Sequence, residues 1–237
     1  MASGMFGLLG SGEFEPWAAE VDRVLLDRAR PGAVLILPTA SAPEGDHVFD
    51  RWGHKGLDHY GRQEVVAHVL PLKGRADASD PKLVAALDDA AMVFFSGGNP
   101  GYLADTLAGS TFWSALRQHL DRGLAYAGCS AGMAALGELT PDTGFRLMGR
   151  NGLRPGLRLF PGTNFAPHWD TLDVFRPGLR AVLAEALGRH RLVAVDERTA
   201  LVGEADRWTV VGSGSVHVLA GGEWRHVPAG RSVALAD

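Results

Sequence analysis

The sequence contains a single cysteine, Cys129, among its 237 residues. One cysteine excludes an internal disulfide and any metal site built from several cysteine ligands. We therefore predict a fold that does not depend on oxidation, and a reducing compartment for the protein.

Long apolar runs are also missing. The apolar run at residues 5–9 ends at Gly10, and no stretch approaches the ~18–20 apolar residues that a membrane-spanning helix requires. The first residues also lack the basic, apolar and small-residue pattern of a signal peptide. We expect a cytoplasmic protein that does not associate with membranes.

Neither sign of charge dominates the sequence. Lys and Arg total 23 and Asp and Glu total 27, which gives a formal net charge of −4. This balance argues against a basic surface that binds nucleic acid. Apolar residues make up 46% and charged residues 21%, as in folded globular proteins. Glycine is abundant, with 31 residues, and predicts many tight turns and close backbone contacts.

Short apolar runs alternate with stretches of helical spacing. The spacing of Trp17, Val21 and Leu25 is typical of one helix face, and a longer helix is predicted over residues 172–188. The runs at 33–38 and 91–96 are almost wholly apolar, which suits a sheet covered on both faces. This alternation predicts an α/β fold with an open, mostly parallel sheet and helices on both faces. The candidate strands are residues 5–9, 33–38, 65–70, 91–96, 124–128 and 192–196.

The last forty residues have a different pattern. Short runs rich in β-branched residues, at 200–202, 208–211, 215–219 and 223–227, are separated by glycine-rich turns. We predict antiparallel strands added at an edge of the sheet. Because no linker, repeat or charge block interrupts the chain, we expect a single domain over residues 1–237.

The segment LAYAGCSAGMAALG at 124–137 contains the strongest chemical signal. It places G-x-S-x-G between a buried strand and a helix, which is the setting of a nucleophile elbow. Glycines at 128 and 132 centre the turn on Ser130 and would direct Cys129 into the sheet. Ala127 and Ala131 are small residues two positions before and after Cys129, so their size does not exclude an elbow centred on the cysteine. The alternative is a purely structural role, in which a turn of small residues allows a helix to pack closely on a strand.

A second signal is AMVFFSGGNPGYL at 91–103. A strand ends in a diglycine turn, and Pro100 suits the first position of a helix. The turn exposes backbone N–H groups at the sheet edge where ligands bind in such folds. One of them could pair with the N–H of Ala131 in an oxyanion hole, although a diglycine turn by itself is more often structural.

The histidines supply the candidates for a general base. His168 lies in LFPGTNFAPHWD at 159–170, after a strand-like run and before a helix, and is the best candidate of the nine. His47, His54 and His59 fall in the polar segment EGDHVFDRWGHKGLDHY. Their spacing matches no compact zinc site, so we predict a solvated face or a mobile loop there.

Four motifs occur in a familiar order: FSGGNPGYL, GCSAGMAALG, LFPGTNFAPHW and AVDERTALV. Over about residues 5–205 the chain resembles the serine peptidase family that contains aspartyl dipeptidase (peptidase E) and cyanophycinase. The resemblance implies a flavodoxin-like fold similar to the class I glutamine amidotransferase domain. It implies that Ser130 is the nucleophile, His168 the base, and Gly98 and Ala131 the oxyanion donors. It implies no metal and no organic cofactor.

The resemblance also suggests three further site residues. The family's acidic triad member lies downstream of the nucleophile, where this sequence offers Glu138 and Asp142; we select Asp142. Asn99 matches the asparagine after the diglycine turn in the dipeptidase branch. Arg176 partly matches an arginine-rich helix start. We expect Asn99 and Arg176 to bind substrate.

These observations favour a serine peptidase of the exopeptidase or dipeptidase type, acting on short peptides through a Ser-His-acid triad and an acyl-enzyme. The polar segment 42–61 follows the strand 33–38, so it is expected at the same sheet edge, where its charges could bind a peptide terminus. The alternative is that these charges only solvate a loop. An esterase or amidase on the same triad, or a non-catalytic amidotransferase-like binding module, remain open as other functions. The expected partner is a small peptide, and a homodimer is compatible with the sequence.

Overall fold

The almost wholly apolar runs form the centre of the main sheet. The computed structural model describes residues 4–142, 152–204 and 206–235. Its strands are β1 (Phe6–Leu9), β2 (Ala33–Leu37), β3 (Ala67–Val69), β4 (Ala90–Phe95), β5 (Ala125–Cys129), β6 (Leu139–Pro141), β7 (Leu153–Pro155), β8 (Thr163–Ala166), β9 (Arg191–Val195), β10 (Thr199–Glu204), β11 (Arg207–Gly212), β12 (Ser215–Ala220), β13 (Glu223–Pro228) and β14 (Ser232–Val233). Its α-helices are α1 (Ala18–Leu26), α2 (Asp46–Gly61), α3 (Pro81–Ala85), α4 (Pro100–Leu107), α5 (Thr111–Leu120), α6 (Ala131–Ala134), α7 (Leu172–Phe175) and α8 (Leu179–Leu187), with 3-10 helices at Thr39–Glu44 and Asp77–Ser79.

The main sheet has the strand order β14-β11-β10-β1-β5-β4-β2-β3. β1, β5, β4, β2 and β3 run parallel, whereas β10, β11 and β14 pair antiparallel at one edge. Separate apolar clusters cover its two faces, one containing Phe95 and Trp113 and the other containing Phe94 and Tyr60. The predicted α/β fold with a mostly parallel sheet and antiparallel C-terminal edge strands is confirmed.

A second sheet of four strands, in the order β13-β12-β9-β8, departs from the prediction. The run at 192–196 and the two last hairpin runs were expected in the main sheet. Instead β9 pairs in parallel with β8 and antiparallel with β12. Because β8 and β9 are parallel neighbours, their carboxyl ends lie side by side. β8 leads into the loop that carries His168, and β9 leads into the loop that carries Glu197.

The predicted helix over residues 172–188 is interrupted. α7 ends at Phe175 and α8 begins at Leu179. Pro177 cannot donate a helical hydrogen bond, and Gly178 has a φ of 82°, a conformation that favours glycine.

The segment around the three nearby histidines forms α2, so the predicted loop is wrong. The predicted solvated face is confirmed for His47 and His54, which are exposed, whereas His59 and the adjacent Tyr60 are buried. His59 Nε2 lies 2.6 Å from the carboxylate of Asp22 in α1, and Tyr60 donates to the same carboxylate. This buried polar pairing fixes α2 against α1. None of the helices in the described part of the chain is long and apolar enough to cross a membrane.

Candidate active site

Ser130 occupies a sharp turn between β5 and α6, with a φ of 50° and a ψ of −103°. Small residues make this turn feasible. A Cβ atom on Gly128 would lie 2.6 Å from the carbonyl oxygen of Gly132, and a Cβ on Gly132 would lie 2.3 Å from that of Phe95. Glycine is therefore the residue that fits at both positions, as the G-x-S-x-G motif predicts.

Cys129 points into the protein interior, as glycines at 128 and 132 predict. Its side chain is buried, and its Sγ donates to Oε2 of Glu13 at 3.0 Å. Burial raises the pKa of the Cys129 thiol well above its usual value, and the nearby Glu13 carboxyl raises it further. A protonated, buried thiol is a poor nucleophile. The geometry thus favours Ser130 over a cysteine-centred elbow.

His168 lies on the loop after β8 and approaches Ser130 directly. Its Nε2 is 2.8 Å from the Ser130 Oγ, and its own φ is 57°. The N–H of Trp169 donates to the carbonyl of Val195, which ties this loop to β9.

Glu197 provides the acidic partner of His168. Its Oε1 lies 2.6 Å from His168 Nδ1, so this nitrogen carries a proton and Nε2 is free to accept from Ser130. Glu197 also accepts from the hydroxyls of Ser11 and Thr171. Burial raises the pKa of Glu197, but the hydrogen bonds from Ser11 and His168 outweigh this effect, and its pKa lies below the usual value.

The expectation that Asp142 orients His168 is not supported. The Asp142 carboxylate pairs with Arg154 at 2.8 Å and accepts a hydrogen bond from Asn99 at 3.4 Å. The cause is the pairing of β6 with β7, which places Arg154 beside the end of β6. Glu138, the other candidate, forms an ion pair with Arg158 at 3.2 Å.

Asn99 and Arg176 do not line either of the two clefts at Ser130 that are described below. Asn99 caps α4, because its Oδ1 accepts from the N–H of Tyr102 at 2.9 Å. Arg176 follows α7 and is exposed. Their expected role in binding substrate receives no support from this placement.

The diglycine turn lies beside Ser130. The Gly97 N–H donates to Oε1 of Glu13 at 2.9 Å. Gly98 has a φ of 139°, and a Cβ there would lie 2.4 Å from the Ala40 carbonyl. Among the described residues, no hydrogen-bond acceptor occupies the backbone N–H of Gly98 or of Ala131.

Two clefts meet at Ser130 and His168. The first, of about 560 Å³, is rich in charge, and its wall includes the 3-10 helix and α2, as expected for the segment 42–61. Its charged side chains are Glu13, Glu15, Glu44, Arg51, Lys55, Asp58 and Arg62. The second, of about 260 Å³, is lined almost entirely by apolar residues. No cluster of metal-ligating side chains occurs within the described ranges.

The model of Peptidase family S51 matches residues 6–211. Cyanophycinases of Nostoc sp. and Trichormus variabilis are each 26% identical to this chain over 92% of its length and 74% of their own. The solved structure of a peptidase from an acI-B1 Actinobacterium is 33% identical, covers 98% of this chain and 97% of its own, and superimposes with a TM-score of 0.89. A putative peptidase E protein from Listeria monocytogenes, 14% identical over 89% of this chain and 99% of its own, shares the fold with a TM-score of 0.63. The chain belongs to Peptidase family S51 and is a serine-type peptidase.

Proposed function

We propose that this peptidase hydrolyses short peptides from a chain end, through a Ser130-His168-Glu197 triad and an acyl-enzyme. The observation that carries the proposal is the continuous hydrogen-bond chain from Ser130 Oγ through both ring nitrogens of His168 to Glu197, with distances of 2.8 and 2.6 Å. Nucleophile, base and orienting acid recur in this geometry on unrelated folds.

In the first step, the Ser130 hydroxyl attacks the scissile carbonyl while its proton passes to His168 Nε2. Glu197 holds the ring in the tautomer that accepts this proton, and its negative charge stabilises the imidazolium that forms. The lowered pKa of Glu197 keeps this carboxyl ionised at neutral pH.

The oxyanion of the tetrahedral intermediate requires hydrogen-bond donors close to Ser130. The N–H groups of Gly98 and Ala131 suit this role, because they flank Ser130 and have no acceptor among the described residues. His168 then gives its proton to the leaving amine. Water, activated by the same histidine, hydrolyses the acyl-enzyme in the second half of the reaction.

The charged cleft supports a preference for chain ends. It brings carboxylates such as Glu44 and Asp58 together with cations such as Arg51 and Lys55 on one wall of the site. These groups can pair with a free ammonium or carboxylate at a peptide terminus through charge-assisted hydrogen bonds. The middle of a folded protein presents no such terminus.

The test compares dipeptides and tripeptides having free ends with the same peptides acetylated, amidated or blocked at both ends, and with casein. The proposal expects kcat/KM to fall at least 100-fold when the recognised end is blocked. Equal rates for free peptides, fully blocked peptides and casein would overturn the exopeptidase assignment. Ser130→Ala is the matched control for contaminating peptidases.

A further inference from the structure

We propose that the apolar pocket beside Ser130 binds the side chain of the substrate residue next to the scissile bond, so that the enzyme selects peptides with a leucine-like or phenylalanine-like residue there. This inference rests on the proposed function and deepens it, because it specifies the substrate class. The charged cleft would recognise the peptide terminus, and the apolar pocket would select the side chain.

The pocket opens at the reacting atoms. Its lining includes Ser130, His168, Gly98 and Ala131, which are the nucleophile, the base and the two proposed oxyanion donors. A side chain placed in it therefore belongs to a residue that flanks the attacked carbonyl. The volume of about 260 Å³ lies below the ~300–1,000 Å³ of pockets that enclose a drug-sized ligand, so it suits a single side chain.

The interrupted helix supplies one apolar wall of this pocket. Leu179, Leu183 and Leu187 follow one another at intervals of four residues and share one face of α8, and Leu172 joins them from α7. The break at Pro177 and Gly178 separates the two helices that carry these leucines. Phe165, Ala134 and prolines complete the lining.

Charged substrate side chains lack a partner in this pocket. Apart from His168, none of the described lining residues has an ionisable side chain. Moving a carboxylate or an ammonium from water into such a pocket costs free energy that no ion pair returns. An aliphatic side chain gains by the same transfer.

The wild-type test uses two dipeptide series, X-Gly and Gly-X, and their tripeptide equivalents, with X as Leu, Phe, Ala, Asp or Lys. In the series whose variable residue enters the pocket, kcat/KM for Leu and Phe is expected to exceed that for Ala by about 10- to 100-fold. Asp and Lys are expected to be at least as poor as Ala.

The variant test uses Leu179→Asn, with Val182→Asn as its matched control. Leu179 is half-buried in the pocket wall, whereas Val182 lies on the same helix, is 52% exposed and does not line the pocket. Leu179→Asn is expected to lower kcat/KM for the Leu peptide at least 10-fold and for the Ala peptide less than threefold. Val182→Asn is expected to change neither.

Labelling of Ser130 by a fluorophosphonate distinguishes failure of the pocket inference from failure of the proposed peptidase mechanism. Leu179→Asn should still be labelled at Ser130, which also verifies that the variant is folded. Suppose that Ser130 is labelled and peptides are hydrolysed. Two results would then overturn the pocket inference alone: cleavage of Asp or Lys peptides as fast as Leu peptides, or an equal fall in kcat/KM for Leu and Ala peptides in Leu179→Asn. Absence of both Ser130 labelling and peptide hydrolysis would overturn the proposed function together with it.

Discussion

Ser130 and His168 are hydrogen-bonded at 2.8 Å, and both have a positive φ, of 50° and 57°. Only six non-glycine residues in the described ranges have a positive φ. Such backbone conformations cost free energy and persist where the surrounding structure enforces them. We therefore expect the contacts that hold Ser130 and His168 in these conformations to be needed for activity.

Gly132, two residues after Ser130, lies against the backbone of Phe95. Gly132→Ala is expected to destabilise the protein by about 1–3 kcal/mol and to lower peptidase activity, because the added Cβ would lie 2.3 Å from the Phe95 carbonyl oxygen. Denaturant unfolding monitored by circular dichroism measures the change. Gly61→Ala is the matched control, since a Cβ there meets no atom within 4 Å. A Gly132→Ala variant as stable as Gly61→Ala would contradict the packing argument.

Replacing each of the two candidate acids, Glu197 and Asp142, by its amide gives a second prediction. Glu197→Gln is expected to lower kcat by about 10³-fold or more, because the amide cannot hold His168 in the required tautomer or stabilise its charged form. Asp142→Asn should retain most of the wild-type kcat, since its carboxylate pairs with Arg154. Steady-state kinetics on one good dipeptide decides between them, and a larger loss in Asp142→Asn would restore the original assignment.

The buried thiol gives a third prediction. Native enzyme is expected to resist iodoacetamide at Cys129 near neutral pH, since the side chain is buried and its pKa is raised. Mass spectrometry should detect alkylation only after unfolding. Cys129→Ala should keep at least a tenth of the wild-type activity. Rapid alkylation of the native protein together with loss of activity would place the nucleophile at Cys129.

The lowered pKa of Glu197 gives a prediction about acid stability. A carboxyl whose pKa is depressed by folding contributes stability that is complete above its unfolded value, and this contribution is lost as the pH falls through the folded value. The usual value is 4.5. The Tm difference between wild type and Glu197→Gln should therefore become smaller as the pH falls from about 5 to about 3. Thermal unfolding across this range measures it, and a difference that grows towards acid pH would contradict the assignment.

Local patterns in the sequence were sufficient to locate the sharp turn at Ser130 and to select His168, which lies 2.8 Å from it. The G-x-S-x-G motif combines the strand, the turn and the small residues that Ser130 requires, and His168 follows a recognisable strand. The parallel core of the sheet follows from the continuous apolar runs. These features depend on residues that are close together in the chain.

The contact between His168 and Glu197 depends on tertiary structure. The hydrogen bond from His168 to Glu197 joins residues 29 positions apart through the pairing of β8 with β9 in a second sheet. A usable signal existed, since Glu197 closely follows the predicted strand 192–196 and so lies at the carboxyl end of that strand. Likewise, the polar residues around His59 do not indicate its buried contact with Asp22 in α1, which lies far away in the sequence.

The most direct test of the central claim is to identify the residue that a fluorophosphonate modifies, by peptide mapping of the wild-type enzyme and of Ser130→Ala and His168→Ala. We expect a single adduct on Ser130, no adduct in Ser130→Ala, and labelling in His168→Ala slowed by about 10³-fold or more. An adduct on another residue, or labelling of His168→Ala at the wild-type rate, would show that Ser130 is not the nucleophile activated by His168.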